Sequence, residues 1–544
     1  MLKNAAYLAL FAAVLYWGFA AREHNVENRA AHADEAEQAH TYSKLLDGGV
    51  YRYNPDGPHG PTLYYYALLC DKARSAFSQD NAESNPQAGA EAAPAKKPSD
   101  SLSIERLRHF AMSVCAAIFA AFWLLRRRLG VAAVLAGFAC FWVSSIGSIY
   151  SVYFVHEIIF ALSMFLCAAA AWRFLNAPGK LNALLFGLSA GLAQATKETA
   201  PLGLAAVFLA AAACCALDSA LARNARAILS PRRLFSCAAV AAAGFAFVFA
   251  LFYSSFFSNP KGIADAFASY AHFAGKAAIP EHSQGALYYL KLFGLEKIEG
   301  ITFGELPFAL LFCASLAGAA YSYMKSGRLS NGGDRGNTGA LCALFFGFAA
   351  MFNIAILSLI PYKNPWLALS GVLLMSVASG WGVSRALSAG SPFARITGIA
   401  AVLGLLCWQI GLGDMSVRRF HSDPRNPYLY SHTVNDFKNL IARIDSCAKV
   451  SEYKSDIPVA FVTKNSPWPA PWFLRKYKNA GFWSGGLPEN IGDFEIVACD
   501  APFAEEAEKS LKSGDYIQEF FGLRKNLVLW VWIKKPLFEA SLEQ

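Results

Sequence analysis

Long apolar runs broken by short polar loops fill the first three quarters of the chain. A span starts at Ala5 and ends at Ala21, and others begin near Ile104, Val131, Ile158, Leu181, Pro201, Leu234, Ile301, Gly339, Trp366 and Ile396. Each lies near the ~20 residues that cross a bilayer, so the pattern predicts about eleven transmembrane helices. After Gly413 the period changes. Short runs such as IPVAFVT (Ile457 to Thr463), FEIVACD (Phe494 to Asp500) and NLVLWVWI (Asn526 to Ile533) alternate with helical stretches such as PWFLRKY (Pro471 to Tyr477) and AEEAEKSLKSG (Ala504 to Gly514). That alternation predicts a small α/β domain. The expected organisation is a mainly α membrane domain over 1–413 and a separate α/β domain over 414–544.

Composition agrees with the pattern. The 544 residues are 55% hydrophobic and 16% charged, against about 25% charge in soluble domains. A net charge of +9 raises the question of nucleic acid, but the basic residues sit in short clusters beside apolar spans, not along one folded face. Ala5 to Ala21 competes with a signal peptide whose cleavage region would be Phe19 to Ala21; the run exceeds a usual signal core, and an uncleaved first helix is expected. Of the twelve cysteines, most lie within apolar runs and no CxxC pair occurs. Only Cys447 and Cys499 share a polar region, which allows a disulfide between them.

The basic clusters set the expected orientation. Lys3, Arg126 to Arg128, Arg173 with Lys180, Arg223 to Arg233, Lys325 with Arg328 and Arg335, and Arg385 with Arg395 fall on one side when the spans are threaded alternately. That side is expected to be the cytoplasm. The complementary segments are then extracytoplasmic: 22–103, 148–157, 194–201, 257–300, 360–366 and everything after Gly413. Within the first of these, Ser78 to Ser103 is rich in Ala, Ser, Asn, Pro and Lys and reads as a disordered insert.

The conspicuous polar groups gather in these loops. His156, Glu157, Lys197, Glu198 and Lys363 all stand at span ends on the expected outer side. Charges there are costly unless paired or wet, which predicts a shared cavity; side chains snorkelling to the interface are the plain alternative. In the first loop, Asp34-Glu35 opens a helical stretch running to Leu46 and stopped by Gly48-Gly49. Asp34 with Glu37 matches a capping box, while a carboxylate held at a helix N-terminus also suits a general base. A rigid Pro58-His59-Gly60-Pro61 corner then presents an imidazole before Tyr64, Tyr65 and Tyr66 return to the interface. His59, His156, Glu157, Asp34 and His282 are the groups that would hold a divalent cation, without metal-ligand spacing in the sequence.

In order along the chain, HADEAEQAHTYSKLLDGGVYRYNPDGPHGPTLYYY, YSVYFVHE, ATKETA, IPYKNPWLAL, NPYLYSHT and WPAPWFLRKY resemble the motifs of a family of membrane glycosyltransferases described as flippase-activity-associated proteins. That family is similar to the protein O-mannosyltransferases and lipid A aminoarabinose transferases of the GT-C superfamily. The resemblance implies a GT-C fold, a sugar donor on polyprenyl phosphate, an active site at the outer face of the cytoplasmic membrane and an acidic base in the first outer loop. The matching position is Asp34, with Glu35 second. The expected substrate contacts, read from the residues themselves, are His59, Tyr64, His156, Glu157, Lys197, Glu198, His282, Tyr362 and Lys363. His59 stands where relatives carry other groups.

The expected reaction is a single inverting displacement, with Asp34 taking the proton of an acceptor hydroxyl on a protein, lipid or glycan. Lys197, Lys363 and His156 are the expected phosphate-side groups. No cofactor is required by this scheme, and no nucleic acid. The reading from another class is a non-enzymatic flippase component for lipid-linked glycans, which predicts polar residues at mid-bilayer on broken helices. Here the inner halves of the spans are Ala, Leu and Phe. The α/β domain lacks a phosphate loop, which fits partner binding or a lid.

Overall fold

The computed structural model describes residues 2–57, 59–79, 97–276, 283–329, 338–511 and 514–543. Contacts divide the chain into two units, one of Met1–Val26 with Tyr42–Arg419 and one of Glu27–Thr41 with Phe420–Gln544. The short segment Glu27–Thr41 therefore groups with the C-terminal residues despite lying about four hundred positions away in sequence.

The first unit is helical and built for a membrane. Among the described residues eight helices are long and apolar enough to cross one: Ile104–Leu124, Glu157–Asn176, Ala200–Leu217, Pro231–Tyr253, Leu306–Ser326, Thr338–Leu359, Pro365–Leu387 and Pro392–Arg419. Four of them carry Pro201, Pro231, Pro365 or Pro392 in their first turn, where the missing N–H costs no hydrogen bond. The expected count of about eleven includes three further segments. Leu2–Asn28 forms a helix, Val131–Val143 stops when Ser144 caps a new helix by accepting from Gly147 N–H, and Lys180–Gln194 has 15 residues.

Close packing of the Lys180–Gln194 and Pro231–Tyr253 helices depends on small residues. A Cβ on Gly187 would lie 2.0 Å from the Ala241 carbonyl oxygen, and one on Gly191 would meet Phe245 and Val248 below 3.0 Å. The four-residue spacing puts both glycines on one face, so the backbones approach directly.

Two short strands, β1 (Leu295–Ile298) and β2 (Ile301–Gly304), form an antiparallel hairpin in the first unit. The expected insert over 78–103 departs from the structure at its edges. Residues 80–96 lie outside the described residues, while Ser78 belongs to the Thr62–Gln79 helix and Pro98–Ser101 forms one 3-10 turn. Ser99 donates to both carboxylate oxygens of Asp47, at 3.1 Å from its N–H and 2.6 Å from its hydroxyl. That anchor orders the end of a stretch whose composition alone reads as disordered.

The second unit is α/β. Its strands β3 (Val459–Val462), β4 (Ala480–Trp483), β5 (Ile496–Asp500), β6 (Tyr516–Arg524) and β7 (Leu527–Lys534) form one sheet in the order β4-β3-β5-β7-β6. The pairs β3–β4 and β3–β5 are parallel, and β5–β7 and β6–β7 are antiparallel. Val459, Phe461, Ile496, Ala498, Val531 and Ile533 pack one face against the Asp436–Val450 helix, and Ala460, Val462, Val497 and Trp532 pack the other. Burial on both faces explains the unbroken apolar runs of β3 and β5. Cys447 belongs to the first face and Cys499 to the second, and both thiols are free. The sheet itself separates them, so the disulfide allowed by the sequence does not form.

Candidate functional site

In the first unit, a buried cluster forms where loops meet the ends of spans. His156 precedes the Glu157–Asn176 helix, and Lys197 and Glu198 lie between the Lys180–Gln194 and Ala200–Leu217 helices. The His59 corner is fastened onto this second loop. Gly60 N–H donates to the Thr196 carbonyl at 3.1 Å, Thr62 N–H to Ala195 at 3.4 Å, and the Thr62 hydroxyl to that of Thr196 at 2.9 Å. A Cβ at Gly60 would sit 2.0 Å from the Ala195 carbonyl oxygen, so only glycine lets the two loops touch.

This fastening places the His59 Nδ1 2.9 Å from the Glu198 carboxylate. Burial works to lower the His59 pKa, but the charge and hydrogen bond of Glu198 raise it above the ordinary 6.5. Glu198 is lowered below its usual 4.5, with burial opposing the shift and His59 and Lys197 producing it. Lys197 donates to Glu157, and both are almost fully buried. Desolvation would lower Lys197, yet Glu157 and Glu198 raise it. The result is a paired array in which Glu198 holds His59 and Glu157 holds Lys197.

His156 differs from its neighbours. It is fully buried, its ring centroid lies 4.9 Å from that of His59, and Tyr64 meets it edge-on at 5.5 Å. Neither ring nitrogen has a hydrogen-bond partner of good geometry. Burial, then the charges of His59 and Lys197, push its pKa well down, so it is neutral.

Tyr362 lies within electrostatic reach of Lys197. Its neighbour Lys363 is 2% exposed and donates to the carbonyls of Gln284 at 2.8 Å and Ile360 at 2.5 Å. Desolvation lowers its pKa. Among the described residues it has no carboxylate partner. A buried ammonium with one N–H to spare and no carboxylate beside it among the described residues favours an anion there.

Asp34 and Glu35 belong to the second unit. The helix begins at Ala33, one residue before the expected start, and this changes the capping. His32 is the N-cap, and Glu35, not Glu37, reaches back to its N–H at 3.0 Å. Both Glu35 oxygens also accept from Arg29, at 3.0 and 2.9 Å, with both side chains fully buried. Glu35 is thus engaged by its fold, a role the sequence assigned to the Asp34 and Glu37 pair.

Asp34 is left available. Its carboxylate is 46% exposed and lies 3.8 Å from His32 Nδ1. Asp34 N–H donates to that nitrogen at 3.0 Å, while His32 Nε2 faces the Tyr430 carbonyl at 3.0 Å. In this geometry Nδ1 accepts and Nε2 donates. His32 stacks on His432 at 5.5 Å. Arg524 donates to the carbonyls of Ser466 and Trp468, and the charge of Asp34 opposes the lowering of its pKa by burial. A half-exposed carboxylate not spent on hydrogen bonds can accept a proton from a hydroxyl.

The structure thus brings together His59, Tyr64, His156, Glu157, Lys197 and Glu198, with Tyr362 in reach. His282 lies outside the described residues. Among the described residues no group of three or more His, Cys, Asp or Glu could hold a metal ion; His282, one of the groups the sequence named for a divalent cation, is not among them. Sequence reasoning missed His32, Arg29, Arg524 and Glu305. The last accepts from Ile146 N–H at 2.7 Å through one oxygen while the other has no partner. Arg524 carried no local signal, since its proximity to Asp34 arises from folding across nearly five hundred residues.

No protein-family model matches the sequence, and no curated protein does either. Solved structures do. ArnT from Cupriavidus metallidurans bound to undecaprenyl phosphate aligns with a TM-score of 0.56 at 11% identity, covering 97% of this chain and 98% of that one. The apo structure of the same protein aligns with a TM-score of 0.56 at 12% identity over the same shares. ArnT is a lipid A aminoarabinose transferase of GT-C fold, and the architecture agrees along almost the full length of both chains. The chain therefore has the GT-C fold.

Proposed function

We propose that this protein is a membrane glycosyltransferase of the cytoplasmic membrane that moves a sugar from a polyprenyl-phosphate donor to an acceptor hydroxyl at the extracytoplasmic face. The shared fold supports the class, because the similar ArnT structure holds undecaprenyl phosphate. The observation that carries the reading is Lys363, a buried ammonium with no carboxylate partner among the described residues.

The reaction is a single displacement at the anomeric carbon. The acceptor oxygen bonds to that carbon as its bond to the phosphate oxygen breaks, which inverts the configuration. Asp34 takes the hydroxyl proton. The electron pair leaves with the polyprenyl phosphate, whose charge Lys363 and Lys197 neutralise. Glu157 and Glu198 hold Lys197 and His59 in place, and neutral His156 with Tyr64 and Tyr362 offers hydrogen bonds to sugar hydroxyls. Phosphate is a good leaving group, so positioning and charge neutralisation suffice.

The test compares cell-surface glycans by mass spectrometry in cells carrying wild-type protein, Asp34→Asn or none. One glycan should lack a sugar in both the Asp34→Asn and deletion cells. Intact glycans in Asp34→Asn cells alongside a lost donor at the outer face would replace the enzyme with a flippase component.

A further inference from the structure

Away from the cluster, the first unit contains a cavity of about 660 Å³, within the ~300–1,000 Å³ typical of ligand sites. Its walls come from four helices already described, Ile104–Leu124, Glu157–Asn176, Lys180–Gln194 and Pro231–Tyr253, and from the short Arg126–Leu129 helix. On two of them the lining residues span ten positions, Leu166 to Asn176 and Asn182 to Leu192. Ten residues rise ~15 Å, half of the ~30 Å hydrocarbon core, so the cavity is one leaflet deep.

One end is polar and positive. Arg127, Arg128 and Arg173 line it, and no acidic residue does. All three are exposed, and none has an ion-pair or hydrogen-bond partner among the described residues. Arg173 stands at the opposite end of the Glu157–Asn176 helix from Glu157, so this mouth and the candidate site lie at opposite ends of one span. The indole of Trp172, 2% exposed, lines the cavity with its Nε1 lacking any acceptor. The Asn182 side-chain oxygen there is likewise unpartnered. Apart from Asn176 and Ser189, the rest of the wall is Leu, Ala, Val and Phe.

We propose that this cavity binds an anionic phospholipid from the leaflet at the arginine-bearing ends of the spans, one acyl chain lying along the apolar wall and the phosphate held by Arg127, Arg128 and Arg173. Guanidinium groups suit phosphate oxygens because each offers two parallel N–H donors. This lipid is neither donor nor acceptor of the proposed transfer. It ties the helices that frame the Lys197 loop to the opposite leaflet.

Native mass spectrometry of the purified full chain tests this, with phosphatidylglycerol, phosphatidylcholine and undecaprenyl phosphate added at equal concentration. Wild type should retain one phosphatidylglycerol about tenfold over phosphatidylcholine, and the Arg127→Gln, Arg128→Gln, Arg173→Gln triple variant should bring the ratio to parity. Ala170→Phe, which narrows the cavity with the charges intact, should lower retention of both. The arginine variants alter exposed side chains only, so they remain decisive if Ala170→Phe does not fold. Parity in wild type, an undiminished preference in the triple variant, or displacement of phosphatidylglycerol by undecaprenyl phosphate would each overturn the assignment.

Discussion

Lys197 and Glu157 are 3% and 5% exposed and form a direct ion pair. Replacing Lys197 with Met leaves Glu157 and Glu198 buried without their shared cation. Removing one member of such a pair costs ~3–5 kcal/mol, mostly the penalty of the stranded charge. Lys197→Met and Glu157→Gln should each lower the thermal midpoint of protein in nanodiscs by several degrees. The Lys197→Met, Glu157→Gln double variant strands neither charge of the pair, and its midpoint should return near wild type. Transfer should behave differently. If Lys197 neutralises the leaving phosphate, both Lys197→Met proteins lose ~10²–10³ in rate, as when one preorganised donor is removed from a transition state. The assay is transfer from a purified polyprenyl-phosphate sugar under single-turnover conditions. A double variant that regains transfer to within about threefold of wild type would show that Lys197 only holds the loop. A Lys197→Met protein as stable as wild type would refute the stability reasoning itself.

Other perturbations separate neighbouring groups. Asp34→Asn should abolish transfer with an unchanged midpoint, because its carboxylate is half exposed and makes no hydrogen bond to a described residue; Glu35→Gln should cost ~3–5 kcal/mol of stability by stranding Arg29, read by thermal unfolding. Glu198→Gln removes the main group that raises His59 above 6.5, leaving burial and Lys197 to lower it against Glu157 alone, and a rate dependent on protonated His59 should fall off at a lower pH on its alkaline side. In wild type the His59 contribution to stability is complete below 6.5 and fades as pH rises through its raised folded value, while that of Glu198 is complete above 4.5 and fades as pH falls through its depressed one. The unfolding midpoint should therefore be flat between these limits and fall on both sides. Exhaustive chelation should leave transfer unchanged, and reductant should leave the midpoint of the second unit unchanged, since all its thiols are free.

The sequence by itself determined whatever depends on local composition and period. Apolar runs long enough for a bilayer became helices, and the alternating runs Ile457 to Thr463, Phe494 to Asp500 and Asn526 to Ile533 became β3, β5 and β7. In the second unit the strands it missed are β4 and the charged β6, edge strands whose half-wet faces leave no continuous apolar signal, and in the first unit it missed the β1–β2 hairpin, placing a span start at Ile301. It also named most members of the first-unit cluster, because charges at span ends are conspicuous. Pairing was not legible. That His59 joins Glu198 while Lys197 joins Glu157, that His156 is left neutral between them, and that Glu35 rather than Asp34 caps its helix all depend on loops brought together from distant parts of the chain. A side chain's protonation and availability are set by what folding places within a few ångströms of it, and a linear pattern holds no record of those distances.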